Sequence, residues 1–126
     1  MARSGFGLPY MWSRMMIERG DGRIRYTTDR RWGGPAATSD VTVSVGEPVD
    51  ADDRDVFLTA RWRLYSTWRG RLLHAPVEHP AWPLHAATAQ YEDGLVAAAG
   101  YEVAGDPFVR FSPGVPVRVG RPRRVR

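Results

Sequence analysis

An α+β fold built mostly from antiparallel strands, as a sheet or barrel with one main helix, is predicted from three observations in this 126-residue chain. An Asp21-Gly22 step separates two strand-like stretches, Val41, Val43 and Val45 alternate with Thr42 and Ser44, and only one central segment repeats its apolar residues at helical spacing. Strands therefore outnumber helices, which favours an antiparallel sheet over alternating βαβ units.

From Tyr10 to Trp32 the chain reads as a β-hairpin turning at Gly20-Asp21-Gly22, because Asp-Gly supplies the positive φ values of a tight two-residue loop. With Asp21-Gly22 as the loop, Ile17 faces Tyr26 and Met15 faces Thr28 on one side. Glu18 then faces Arg25, and Arg14 faces Asp29, on the other. These opposite-charge cross-strand pairs favour this register, whereas a three-residue loop sets Arg19 against Arg23. After the Gly33-Gly34-Pro35 break, the 41–45 alternation predicts a half-buried strand. Gly46, Pro48 and the acidic run 50–55 are expected to form a loop leading into a helix, with Asp52 or Asp53 capping its free N–H groups. The acidic run fits a solvated first turn better than a metal site.

The helix is predicted over 54–66. At about 100° per residue, Phe57, Leu58, Trp62, Leu64 and Tyr65 form one apolar stripe, with Arg61 in its middle. A guanidinium facing a core must be paired and hydrogen-bonded. Two roles meet that requirement: a structural ion pair or carbonyl cap, or an anion contact lining an interior cavity, where the planar fork holds a carboxylate bidentately.

Downstream, 71–77 and 84–92 read as strands around a corner punctuated by Pro76, Pro80 and Pro83. The Ala-rich 95–99 segment is either one helical turn or a strand extension. Residues 108–111 and 115–119 are predicted as a final strand pair joined by Ser112-Pro113-Gly114, with Pro116 indicating an edge.

Charge and composition then exclude several chemistries. The net charge of +4 lies in the tail: four of the 18 basic residues fall within 121–126, leaving 14 arginines against 14 acids over 1–120. The expected organisation is thus a single domain over 1–120 with a basic, flexible tail over 121–126, and a nucleic-acid partner is not expected. With no Cys, thiol nucleophiles and Cys-ligated metals are absent. All 18 basic residues are Arg, so no lysine Schiff base can form. No apolar run spans a bilayer and no signal-peptide pattern opens the chain, so no membrane association is expected and the cytoplasm is the expected compartment.

His74, His79 and His85 lie near one another in sequence, with Glu78 among them, but spacings of five and six residues match no common metal signature. Neither a metal nor a cofactor is expected. Gly-rich phosphate loops, nucleophile elbows and His-Glu-x-x-His strings are missing.

Several strings resemble a family as they stand: Phe6-Gly7-Leu8-Pro9-Tyr10 followed by Met15 and Arg30-Arg31, then 57–65, then His79-Pro80-Ala81-Trp82-Pro83-Leu84. Together they resemble the YqjF-like family of uncharacterised proteins, placed in the acetoacetate decarboxylase-like superfamily. The resemblance covers nearly the whole chain except the tail. It implies a partial barrel or curved sheet corresponding to the C-terminal part of a longer domain, with open edges that favour self-association. In the superfamily's decarboxylases a Gly-x-Pro-Lys string supplies the imine-forming lysine. By that resemblance Tyr10 occupies or neighbours its place, and tyrosine forms no imine.

What the resemblance leaves is a pocket for a small molecule such as a carboxylate, with Tyr10 as donor, Arg61 as anion anchor, and Tyr65, His79 and Trp82 as walls. Each has a structural alternative: Tyr10 as the start of a strand, for instance, or Trp82 as a plug between prolines. The competing expectations are an enzyme using His79 or Glu78 as general acid or base on a carbonyl or carboxylate substrate, and a truncated fragment with no function.

Overall fold

A computed structural model of the chain describes residues 12–32 and 34–125. The chain divides into two compact units, whose described parts comprise 12–49 with 84–112, and 50–83 with 113–125.

The first unit is a five-stranded antiparallel sheet of β1 (Trp12–Gly20), β2 (Arg23–Trp32), β3 (Thr38–Val49), β6 (Leu84–Asp93) and β7 (Arg110–Phe111), in the order β1-β2-β3-β6-β7. The β1–β2 hairpin has the predicted register. Ile17 lies opposite Tyr26, Met15 opposite Thr28, Glu18 opposite Arg25 and Arg14 opposite Asp29. Asp21 and Gly22 take φ of 48° and 70°, the two positive values a two-residue loop of this hand requires.

Register carries the period-two pattern across the sheet. Ile24 faces Val43 and Tyr26 faces Val41; these in turn lie opposite Ala89 and Tyr91 of β6, giving one apolar face. The other face carries Thr27, Asp40 and Glu92 in line. Strand β3 is longer than its Val core predicted, because a register shift between Val45 and Pro48 lets the strand continue through Gly46 and Pro48 to Val49. Helix α2 (Leu95–Ala98) follows β6, so the 95–99 segment is a helical turn. Ile24 and Leu84 are the buried apolar side chains described in this unit.

The second unit holds helix α1 (Asp53–Thr59) and a small antiparallel sheet centred on β5 (Arg71–Glu78). Asp52 is the N-cap: its Oδ1 accepts from the Asp55 N–H at 2.8 Å, while the Asp52 N–H donates to Asp55 Oδ2 at 3.3 Å. This reciprocal box explains where the helix begins. Its end differs from the expectation of 54–66. The helix stops at Thr59, and residues beyond Arg61-Trp62 form β4 (Arg63–Trp68), paired with β5 through a two-residue Arg69-Gly70 turn with φ of 50° and 73°. Tyr65, Thr67 and Trp68 suit a pleated strand, and Leu64 and Ser66 alternate with exposed neighbours along it. A strand here also removes the conflict a longer helix created, since Arg61 never enters an apolar stripe.

One further expectation is corrected. Residues 108–111 and 115–119 do not pair with each other: β7 joins β6, and β8 (Arg118–Val119) joins β5. In the basic terminus, β9 (Arg123–Arg124) lies antiparallel to Leu73-His74 of β5. Residues 118–125 thus run along the edge of β5 opposite β4, interrupted where Pro76 offers no N–H, and tied by Gly120 N–H to Pro76 O and Val125 N–H to Leu72 O. The architecture is mostly antiparallel α+β as predicted; among the described residues neither sheet closes into a barrel.

Candidate functional site

The sequence-predicted site residues fall mainly on the β5 unit, and the fold brings only some of them together. His79, just past β5, lies flat against Trp62, with ring centroids 4.6 Å apart and planes at 18°. Trp82 meets the same imidazole edge-on, at 6.0 Å and 76°. Pro80 and Pro83 fix the corner that returns Trp82 to His79, and the Val77 N–H bond to Trp62 O at 2.9 Å anchors the approach of Trp62 to β5. The Nδ1 of His79 sits 2.8 Å from the Pro80 carbonyl oxygen. Because that oxygen only accepts, Nδ1 carries the proton and Nε2 is the acceptor of the neutral ring. The indole Nε1 of Trp82 is buried with no hydrogen-bond partner among the described residues.

The remaining predicted residues lie elsewhere. Tyr65 is directly opposite His74 on β4 and β5, their rings 6.2 Å apart, and the tyrosine is exposed. Arg61 is exposed between α1 and β4, with its guanidinium 4.5 Å above the Phe57 ring, a cation–π contact rather than the buried ion pair or cavity contact a longer helix demanded. Glu78 is exposed at the end of β5, across from Arg118 of β8. Tyr10 lies outside the described residues. Among those residues no three His, Cys, Asp or Glu side chains are grouped to hold a metal ion. His85 belongs to the other unit, with Nδ1 3.1 Å from Gly46 O.

A groove of about 820 Å³ lies on the apolar face of the five-stranded sheet, and none of the predicted site residues lines it. Val41 and Val43 of β3 and Ala89 and Tyr91 of β6 line it from the sheet, with Val96 of α2 and Val103 beyond it. Its charged lining side chains are the acids Asp93 and Glu102. The signal for it was present in the sequence as the alternation of β3, continued by Ala87, Ala89 and Tyr91. Its volume, however, depends on where 95–109 returns over the sheet, which no local pattern encodes. No helix among the described residues is long and apolar enough to cross a membrane.

A family model described as an uncharacterized conserved protein, DUF2071, matches residues 1–116. The chain is 33% identical over 100 residues to the uncharacterized protein YqjF of Bacillus subtilis, an alignment covering 78% of this chain and 41% of that protein. The chain therefore spans about two fifths of that relative's length. No solved structure matches it significantly.

Proposed function

Since the chain belongs to the DUF2071 family of uncharacterized conserved proteins, we propose that it binds a small, largely apolar molecule in the groove over β3 and β6, without Schiff-base chemistry. The observation that carries this reading is the groove itself, about 820 Å³ over an apolar sheet face, within the range of small-molecule sites. Absence of lysine anywhere in the sequence removes imine formation with substrate. The exposed acids Asp93 and Glu102 at the groove favour a neutral or cationic polar end on the ligand over the carboxylate that Arg61 suggested, since like charges repel. An antiparallel sheet with one apolar face lining a cavity also supports placing the chain in the acetoacetate decarboxylase-like superfamily, as part of a longer domain.

Nile red, a neutral apolar fluorophore, tests the site. Saturable fluorescence enhancement with one-site stoichiometry is expected, lost in Ala89→Trp, which puts an indole into the groove, and kept in Ile17→Ser on β1. Enhancement that never saturates, or that survives Ala89→Trp in a protein with unchanged circular dichroism, overturns the reading.

A second reading, general acid–base catalysis by His79, is favoured by the Pro80 contact that leaves Nε2 as acceptor. It requires turnover of a carbonyl substrate that His79→Gln abolishes while the fold, followed by far-ultraviolet circular dichroism, is retained.

A further inference from the structure

We propose that two copies of this chain associate through β1, pairing antiparallel about a twofold axis at Met16, so that two five-stranded sheets join into one. Among the described residues β1 pairs only with β2, leaving its outer edge open. The two-residue turn makes Gly20 and Arg23 exchange both backbone bonds, and every second pair along the hairpin does the same. Arg14, Met16 and Glu18 therefore direct their N–H and C=O groups to β2. Those of Ser13, Met15, Ile17 and Arg19 point to the open edge.

Those outward groups restrict how a second β1 can add. Antiparallel self-pairing must match odd residues with odd residues, and the charges choose among the registers that do so. Centred on Met16, Arg14 lies opposite Glu18 of the partner subunit, and the twofold repeats the pair. On the other face, Met15 lies opposite Ile17 of the partner subunit. Centring on Met15 sets Arg14 against a methionine, and centring on Ile17 sets Glu18 against one. An isologous contact needs a self-complementary patch, and the stretch Arg14-Met15-Met16-Ile17-Glu18 is one in charge and in hydrophobicity. Met15, Met16 and Ile17 are 68%, 53% and 54% exposed, so apolar surface on both faces of the edge would be covered. The described part of β1 carries no proline, and its one register irregularity lies at its start, between Trp12 and Ser13, so little else blunts the edge.

The natural chain has no cysteine, so one introduced thiol reports a single position. Met16→Cys is expected to oxidise to a disulfide-linked dimer at least tenfold faster than Met15→Cys or Ile17→Cys, because only residue 16 faces its own copy. Light scattering on the unmodified 126-residue chain is expected to give a mass twice that of the monomer at tens of micromolar. Ile17→Pro removes an edge N–H without touching a β1–β2 bond, and should return it to monomer with its thermal transition retained. A monomeric wild type, equal cross-linking at all three positions, or a dimer that persists in folded Ile17→Pro would each overturn the proposal.

Discussion

Arg25 of β2 grips Asp40 of β3 with two parallel bonds, Nε to Oδ1 at 3.0 Å and Nη2 to Oδ2 at 2.6 Å. The two residues are diagonal neighbours on the polar face, since Arg25 lies opposite Thr42 and Asp40 opposite Thr27. Glu18 of β1, 3.6 Å from the same guanidinium, extends the link across three strands. The bonds donated by Arg25 hold the Asp40 carboxyl below its usual range, against partial burial and with help from the arginine's charge; the same bonds raise Arg25. The folded value lies below the unfolded one, so this stabilisation is complete above the ordinary carboxylate pKa and is lost as pH falls through the folded value. Wild type should melt higher than Asp40→Asn near neutral pH, with the gap narrowing below about pH 4 and in high salt. Thermal melts by circular dichroism across pH check this.

Both hairpin turns place a non-glycine residue in the left-handed region, and the second places there a residue less tolerant of it than the Asp21 of the first. Arg69 holds φ of 50°, a left-handed conformation that asparagine tolerates better than arginine, before a glycine at 73°. Arg69→Asn creates the preferred Asn-Gly sequence and should stabilise the protein by up to about 1 kcal/mol, less the loss of the guanidinium's contact over Trp68. Urea denaturation with an unchanged slope is the measurement.

Gly120 is required by space rather than by conformation. A Cβ there would lie 2.6 Å from Cγ and 3.1 Å from Cδ of the Pro76 ring. Gly120→Ala should therefore push the 118–125 edge off β5 and cost about 1–3 kcal/mol. Hydrogen exchange of the Gly120 and Val125 N–H groups, both bonded to β5, should quicken in the variant.

The Trp62–His79 stack should behave as a coupled pair. In a double-mutant cycle of Trp62→Ala and His79→Ala, a coupling of about 0.5–1.5 kcal/mol is expected for a stacked aromatic contact. Additive losses would show that the stack contributes nothing beyond the separate contacts His79 makes with the Pro80 carbonyl and Trp82.

Local chemistry was legible wherever neighbours in sequence are neighbours in space. Asp21-Gly22 specified a turn, opposite charges on either side of it specified the register, and Asp52 supplied the cap that starts α1. The strands read over 71–77 and 84–92 on either side of the proline corner correspond to β5 and β6, each one residue longer than expected. Where two periods fitted one segment, as at 57–65, periodicity could not choose: the stripe through Phe57, Leu58 and Trp62 also accommodates a strand beginning at Arg63. The partner β5, joined by a turn with no Asn or Asp in it, decided that. Tertiary structure alone also sent β7 to β6 and the basic terminus to β5, exposed Arg61, and laid 95–109 over the sheet to form the groove. Those outcomes depend on backbone hydrogen bonds and surfaces supplied from dozens of residues away, and a local pattern carries no record of which distant edge is open to receive it.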